Sequence, residues 1–531
     1  MTIMGGQEYQ VQGSEYLRGQ AKELSLDKLG IDKLDAGEPS LVETTRSDKK
    51  RLSFFARGFY SYDNRYMFTA TIRADGSSVF APKNRWGVFP SFAAAWTISN
   101  EPWMSSTKNW IDNLKLRVGY GTVGNDRITS YQTADLYSIS KYGHGSSSVA
   151  ALLTNSCYNP DLRWEGATTI NAGVDFSVFN SRLSLSVDAF QKDTKDLLLQ
   201  QNLAYVSGWE SQWQNVGKIR NRGLELSLKT ININKRNFSW STDFNISFLS
   251  NKLVSLQDGT EYMQVRTNFD SNNTNNDYIA IVGQPLGNMY GYEFDGVYQF
   301  SDFIMKADGT LKLKDGVVDN SAHTGLDPVP GFVKYKDQLT IDTDGDGIPD
   351  KGDGKITSAD RTVIGNGYAD WYGGMTNTFH IYGFDLSVVL QYSYGNDVYN
   401  VTRYRATQTT ENGLNMLAEV RDRWTPYHAS NAVPSVKGIK MHDIYSRYIE
   451  DGSYLRLKNI TLGYTFPDKW INRIKVSKLR LYATANNLYC FTRYSGYDPE
   501  VNGKNSPLMP GLDNGSYPKN TAYTMGLEIT F

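Results

Sequence analysis

Along much of this chain, apolar and polar side chains alternate with a period of two residues. In the run NFSWSTDFNISF, which starts at Asn237, Phe238, Trp240, Phe244, Ile246 and Phe248 fall on one side, and Ser239, Ser241, Asp243, Asn245 and Ser247 on the other. From Phe384 onward, Phe384, Leu386, Val388, Leu390 and Tyr392 oppose Asp385, Ser387, Gln391 and Ser393, with Val389 the one exception. Such alternation marks a strand with one apolar face and one wetted face. It returns at residues 114–120, 183–189, 224–228, 479–485 and 523–531. Roughly fifteen strands are predicted, many near the ~10 residues with which a tilted strand crosses a bilayer.

The wetted face carries full charges, among them Lys115, Arg117, Glu225, Lys229 and Glu528. Connections come in two sizes. Short ones, such as residues 62–65 (YDNR) and Asn180-Ser181, alternate with long polar excursions at 126–159, 250–286, 300–369 and 399–449. Short turns on one rim and long loops on the other are the outer-membrane barrel pattern. A soluble sandwich built from hairpins carries few loops beyond about 12–15 residues. Weak helical periods at 15–34 and 415–424 predict helices packed over a rim, the second ended by Thr425-Pro426. No internal repeat of fixed period argues for a propeller or solenoid.

Composition agrees with a large β structure. The chain has 531 residues, 13% of them aromatic, with 47 Gly and 16 Pro. Aromatic side chains suit a pleated surface, and glycine suits turns. The formal charge of −1 leaves no basic footprint for nucleic acid. Mean hydropathy is −0.47, and no apolar run approaches the ~18 residues of a membrane helix. Barrel strands keep hydropathy low because only every second residue meets lipid. Cys157 and Cys490 have neither metal nor redox spacing.

Several strings then go beyond pattern. Asn64 opens NRYMFTATIRADGSSVF, Asn84 opens NRWGVFPSFAAAW and Leu114 opens LKLRVGYGTVGN. Asn159 opens NPDLRWE, Asn221 opens NRGLELSL and Asp353 opens DGKITSADRTVIGN. Asp451 opens DGSYLRLKNITLGYTFP, and Lys478 opens KLRLYATANNLYCFTRYSGYDPE. In this order they resemble the C-terminal barrel of the SusC/RagA family of TonB-linked outer-membrane transporters, from about Arg51 to Phe531. The resemblance implies an all-β fold: part of a large antiparallel transmembrane β-barrel with long extracellular loops, a plug domain having no counterpart here. It also implies an outer-membrane importer of glycan fragments or peptides, capped by a SusD-like surface lipoprotein and driven by the TonB complex through an N-terminal part. Residues 1–50 are expected as a leading loop segment, 51–531 as barrel strands and loops. Met1-Thr2-Ile3-Met4 lacks the basic start and apolar core of a signal peptide, so a truncated or split product is expected. Open strand edges in hydrocarbon cost on the order of tens of kcal/mol. Such a product is therefore expected to close as a smaller barrel, to dimerise through its edges, or not to insert.

Candidate chemistry centres on one loop. Asp342, Asp344, Asp346, Asp350 and Asp353 lie within twelve residues, interleaved with glycines. Carboxylates at this spacing suit oxygen-only calcium ligation, with the Ile348 carbonyl as a further ligand, Asp360 in an overlapping site, and loop ordering as the role. The spacing resembles thrombospondin-type calcium repeats more than an EF-hand. A solvated acidic turn is the alternative. The five histidines (His144, His323, His380, His428, His442) show no metal spacing, and no nucleophile elbow or phosphate loop occurs, so no enzyme is expected. Tyr290, Tyr292, Tyr298, Trp371, Tyr372, Tyr394 and Tyr404 invite glycan stacking but are read as interface girdle or loop core. The alternative function is a calcium-loaded surface protein for glycan binding or adhesion, without transport.

Overall fold

The alternating segments form one 14-stranded sheet whose strands neighbour each other in chain order. In the computed structural model these are β1 (Thr2–Lys22), β2 (Glu38–Tyr62), β3 (Tyr66–Ser77), β4 (Trp86–Thr97), β5 (Ile111–Asn125), β6 (Glu165–Val178) and β7 (Leu183–Lys195). They continue as β8 (Lys218–Lys235), β9 (Phe238–Ser255), β10 (Trp371–Ile381), β11 (Phe384–Tyr394), β12 (Tyr454–Thr465), β13 (Lys478–Thr492) and β14 (Ala522–Thr530). The structure describes all residues except 25–26, 145–146, 155, 210, 258, 270–274, 408–414, 439–442, 472–475 and 505, and the side chains at 27–31, 141, 144, 147–148, 202 and 205. His442 and the side chain of His144 therefore lie outside the description. Among the described residues no helix is long and apolar enough to cross a membrane.

Three expectations need correction. Residues 1–50 are not a leading loop: β1 pairs with β2 from Thr2↔Phe59 to Lys22↔Glu38. The helical period from Glu15 is likewise overridden, because continuous pairing with β2 satisfies backbone groups that one weak apolar stripe would not bury. Only Asp27–Ala36 is helical there, as 3-10 turns. The second helix shrinks to the 3-10 segment Ala418–Asp422, ending before Trp424 and Pro426.

The chain divides into two compact units. In the first (1–108, 113–174, 190–220), β2 to β4 pair so that Phe54, Tyr60, Phe68, Ile72 and Phe92 share one face. That face keeps Phe68 51% and Phe92 57% accessible, an apolar surface no water-facing sheet would carry so continuously. The opposite face holds Arg73, which binds Glu8 at 2.8 Å and Asp75 at 2.7 Å. Tyr62 and Arg65 close a two-residue hairpin: Arg65 N donates to Tyr62 O at 2.9 Å, with Asp63 and Asn64 at φ 51° and 49°. Asp and Asn are among the few residues that tolerate this left-handed geometry, which suits the strand twist.

In the second unit (109–112, 175–189, 221–531), β9 to β14 carry the predicted faces in register. Val388 lies opposite Asn377 and Ile460, and Ser387 opposite Thr378 and Thr461. Val389, the exception to the alternation, sits opposite Asn459, where a bulge leaves Lys458 unpaired and resets the register. Aromatic pairs gather towards both strand ends of the apolar face. Trp371 stacks on Tyr394 at 5.0 Å near the long-loop end, and Phe384 meets Tyr464 at 4.6 Å near the short-turn end. These are the two girdles expected at membrane–water interfaces. The polar face pairs Arg480 with Asp385 at 2.6 Å and Lys478 with Glu528 at 2.7 Å.

The two faces make opposite demands on substitution. Val388→Arg, placed mid-strand on the apolar face, is expected to cost about 2–4 kcal/mol in a urea titration in lipid vesicles. Ser387→Arg, one residue away on the polar face, should stay within about 0.5 kcal/mol of the parent chain.

Candidate functional site

Three long connections of the second unit, at 256–370, 395–453 and 493–521, fold into a core of their own. Its centre is tyrosine-rich: Tyr278, Tyr335, Tyr399, Tyr445 and Tyr448 are buried with Met289, Ile356, Ile444 and Leu512. Backbone bonds tie the loops together. Tyr292 N donates to Ile444 O, Ser446 N to Tyr292 O, and Tyr399 N to Gly511 O, at 2.8–2.9 Å. A tyrosine fills apolar space and still finds a polar partner for its hydroxyl, as Tyr278 does on Pro510 O at 2.7 Å. Long polar loops are thereby fixed without a continuous apolar sequence.

Buried ionisable groups sit inside this core. His323 Nε2 lies 3.0 Å from both carboxylate oxygens of Asp443, and Tyr335 Oη donates to Asp443 Oδ2 at 2.6 Å. Tyr292 Oη is 3.2 Å from His323 Nδ1. Burial pushes the Tyr335 hydroxyl well up, so it stays a donor. Asp277 is held by Thr267 N at 2.7 Å and by the Thr267 hydroxyl, and burial pushes its carboxyl up to about 6. Arg361 lies 4.3 Å over the Tyr290 ring and donates to Tyr290 O at 3.1 Å. Sequence reasoning named His323, Tyr290 and Tyr292 but not Asp277, nor the partners Asp443 and Arg361. His323 and Asp443 are 120 residues apart, so spacing carries no sign of the pair.

The acidic loop is a different construction. Asp342, Asp344 and Asp346 are exposed, and one carboxylate oxygen of each lies within 4.8 Å of the others. Gly345 N and Gly347 N donate to the two oxygens of Asp342 at 2.7 and 2.8 Å, holding its carboxyl below the usual range. Gly345 and Gly347 have φ of 78° and 88°, where a side chain is strained. The other two carboxylates of the predicted set also bond to their own turns. Asp350 accepts from Thr343 N at 3.0 Å and Thr343 Oγ1 at 2.5 Å, and Asp353 accepts from Lys355 N at 2.8 Å. Asp360 is buried as a turn cap, accepting from Gln338 N at 3.0 Å and Thr357 N at 2.7 Å. Ile348 N donates to Asp346 Oδ1 at 2.8 Å.

The aromatic candidates separate in the same way. Tyr292, Tyr298 and Tyr404 are buried in the loops. Trp371 and Tyr394 belong to the girdle, and Tyr290 lies under Arg361. Tyr372, opposite Ser247 on the polar face, is 43% accessible.

A sheet with a lipid-ready face and an ion-paired face, joined alternately by short turns and long loops, defines a transmembrane β-barrel protein of the outer membrane. A profile of the TonB dependent receptor-like beta-barrel family matches residues 3–332, and the chain belongs to that family. It is similar to TonB-dependent receptor P3 of Formosa agariphila, 33% identical over 539 residues, covering 100% of this chain and 50% of the relative. It is also similar to TonB-dependent receptor SusC of Bacteroides thetaiotaomicron, 29% identical over 490 residues, covering 90% of this chain and 46% of the relative. The RagAB peptide importer in its closed-closed state superposes with a TM-score of 0.80 at 25% identity, over 100% of this chain and 53% of that one. The SusC/RagA resemblance carried by the sequence strings therefore stands. The chain spans about half the length of the curated relatives it matches.

Asp277 yields a pH prediction. Its native pKa stands above the ordinary carboxylate value, so its neutral form favours the folded loop: the contribution is full below about pH 4 and is lost as pH rises through about 6. From pH 4 to 7, loop stability measured by limited proteolysis should therefore move in favour of Asp277→Asn over the parent by up to about 3 kcal/mol.

Proposed function

We propose that this chain is the barrel portion of a TonB-dependent outer-membrane importer that takes up glycan fragments or peptides. The observation that carries the reading is the sheet itself, apolar and girdled on one face, charged and ion-paired on the other. A large barrel of this kind offers a polar passage, and the tyrosine-cored loops offer a shaped surface at the end where substrate arrives. A SusD-like surface lipoprotein is the partner proposed for that loop surface. Coupling to the TonB complex runs through the plug-bearing N-terminal part that the family resemblance implies. Likeness to the RagAB peptide importer supports a peptide cargo, and the SusC/RagA resemblance of the sequence adds glycan fragments.

Uptake of fluorescent oligosaccharides and of peptides by cells carrying or lacking the gene tests the proposal. Loss of uptake of one class on deletion, restored by complementation, is the expected outcome. Unchanged uptake of both classes, with loss of surface binding alone, would favour the adhesion reading instead.

The acidic loop is proposed to hold one calcium ion through Asp342, Asp344 and Asp346, with an ordering role. Hard oxygen ligands suit that ion, and the glycine turns let three carboxylates converge. Asp350 and Asp353, which also close turns of the loop, are the further ligands that the spacing predicts. Isothermal titration with calcium should show one binding event that disappears in the Asp344→Ala, Asp346→Ala double variant. Identical titrations would remove the proposal.

A further inference from the structure

Where β11 to β13 run out towards the long loops, the apolar face of the second unit is not flat. A groove of about 870 Å³ opens there, walled by Phe244, Trp371, Tyr392, Tyr394, Leu455 and Phe491. Its cause lies in the register. Ile246, Gly373 and Tyr392 are neighbours across three strands, and Gly373 presents no side chain. Tyr392 leans across that gap, its hydroxyl donating to Asn245 O at 2.6 Å. Trp371 is held upright by Tyr394 at 5.0 Å and Tyr392 at 5.6 Å. Two charges border the same groove, Asp451 and Arg493. Both lie just past the strand ends, at the level where a bilayer's head groups meet water. Asp451 accepts from Ser453 N through Oδ1, and Arg493 has no carboxylate partner among the described residues.

We propose that this groove binds one outer-leaflet membrane lipid whose head carries both a phosphate and an amine. An acyl chain fills the aromatic slot, the phosphate meets Arg493, and the ammonium meets the free oxygen of Asp451. The charge complementarity identifies the occupant. A cation and an anion beside one apolar slot, not neutralising each other, match a zwitterionic head better than a neutral or purely anionic one. A second apolar groove, of about 600 Å³ in the first unit around Gly58, Ala70 and Phe92, has no charged side chain in its lining. It accepts chains without choosing heads and marks what an ordinary lipid contact looks like.

Trp371 reports on occupancy. The protein is purified from the outer membrane and reconstituted in nanodiscs with a minor fraction of brominated lipid. The Trp371 signal is taken as the difference between parent and Trp371→Phe. Brominated phosphatidylethanolamine should quench this signal roughly fivefold more effectively than brominated diacylglycerol at equal fraction, with brominated phosphatidylglycerol in between. Arg493→Gln should abolish the preference over diacylglycerol, and Asp451→Asn should equalise the two phospholipids. Equal quenching by all three lipids in the parent protein would overturn the proposal without any head-group variant. So would a preference that survives Arg493→Gln in protein that keeps its heat-modifiable fold.

Discussion

Backbone hydrogen bonding is the constraint on which everything else here rests. In hydrocarbon an amide without a partner costs several kcal/mol, so a spanning segment that is not a helix must pair along its whole length. Pairing in register then makes the side-chain period matter. A slip of one residue at any ladder would exchange Val388, Leu390 and Tyr392 with Ser387, Val389 and Gln391. A bulge at Lys458 lets β12 change parity, from Ile460, Leu462 and Tyr464 to Leu457 and Leu455, without a slip of the apolar face. The pairs Asp385–Arg480 and Lys478–Glu528 lie on the same wetted face, the first reaching across β12 over Gly463 and the second between adjacent strands.

The loops obey a second rule. They are too polar to collapse as an ordinary core, so they use amphipathic rings. Tyrosine supplies the area, and several buried polar groups are answered from another loop: Tyr278 by Pro510 O, Asp443 by Tyr335 and His323. Breaking any one partnership leaves a buried polar group, at about 1–3 kcal/mol. That cost holds the loop surface in one shape. Any ligand of these loops therefore meets a surface already formed, which lowers the ordering entropy of binding.

The acidic loop shows the limit of reading chemistry from spacing. Five aspartates in twelve residues look equivalent in one dimension. In the fold Asp342, Asp346, Asp350 and Asp353 all accept N–H groups of their own turns, Asp360 is buried as a cap, and one oxygen each of Asp342, Asp344 and Asp346 converges in solvent. A short polar side chain beside a turn is as well placed to bind its own backbone as a cation. Only the path of the chain decides between them.

Period-two alternation, the two lengths of connection and the aromatic-rich composition sufficed to specify strand positions, their apolar faces, and a membrane-spanning antiparallel sheet. The eight strings specified the family. These are local properties, written every second residue, and no distant partner is needed to interpret them. The first fifty residues escaped because their alternation is weak: β1 is a strand through its pairing with β2, not through its own pattern. The His323–Asp443 pair, the buried Asp277 and the groove beside Trp371 escaped for a stronger reason. Each is assembled from segments distant in sequence or from several strands, and only register and loop packing bring their atoms within reach. Sequence alone determined which face of each strand meets lipid; tertiary structure decided which polar groups leave the water and which neighbours they find there.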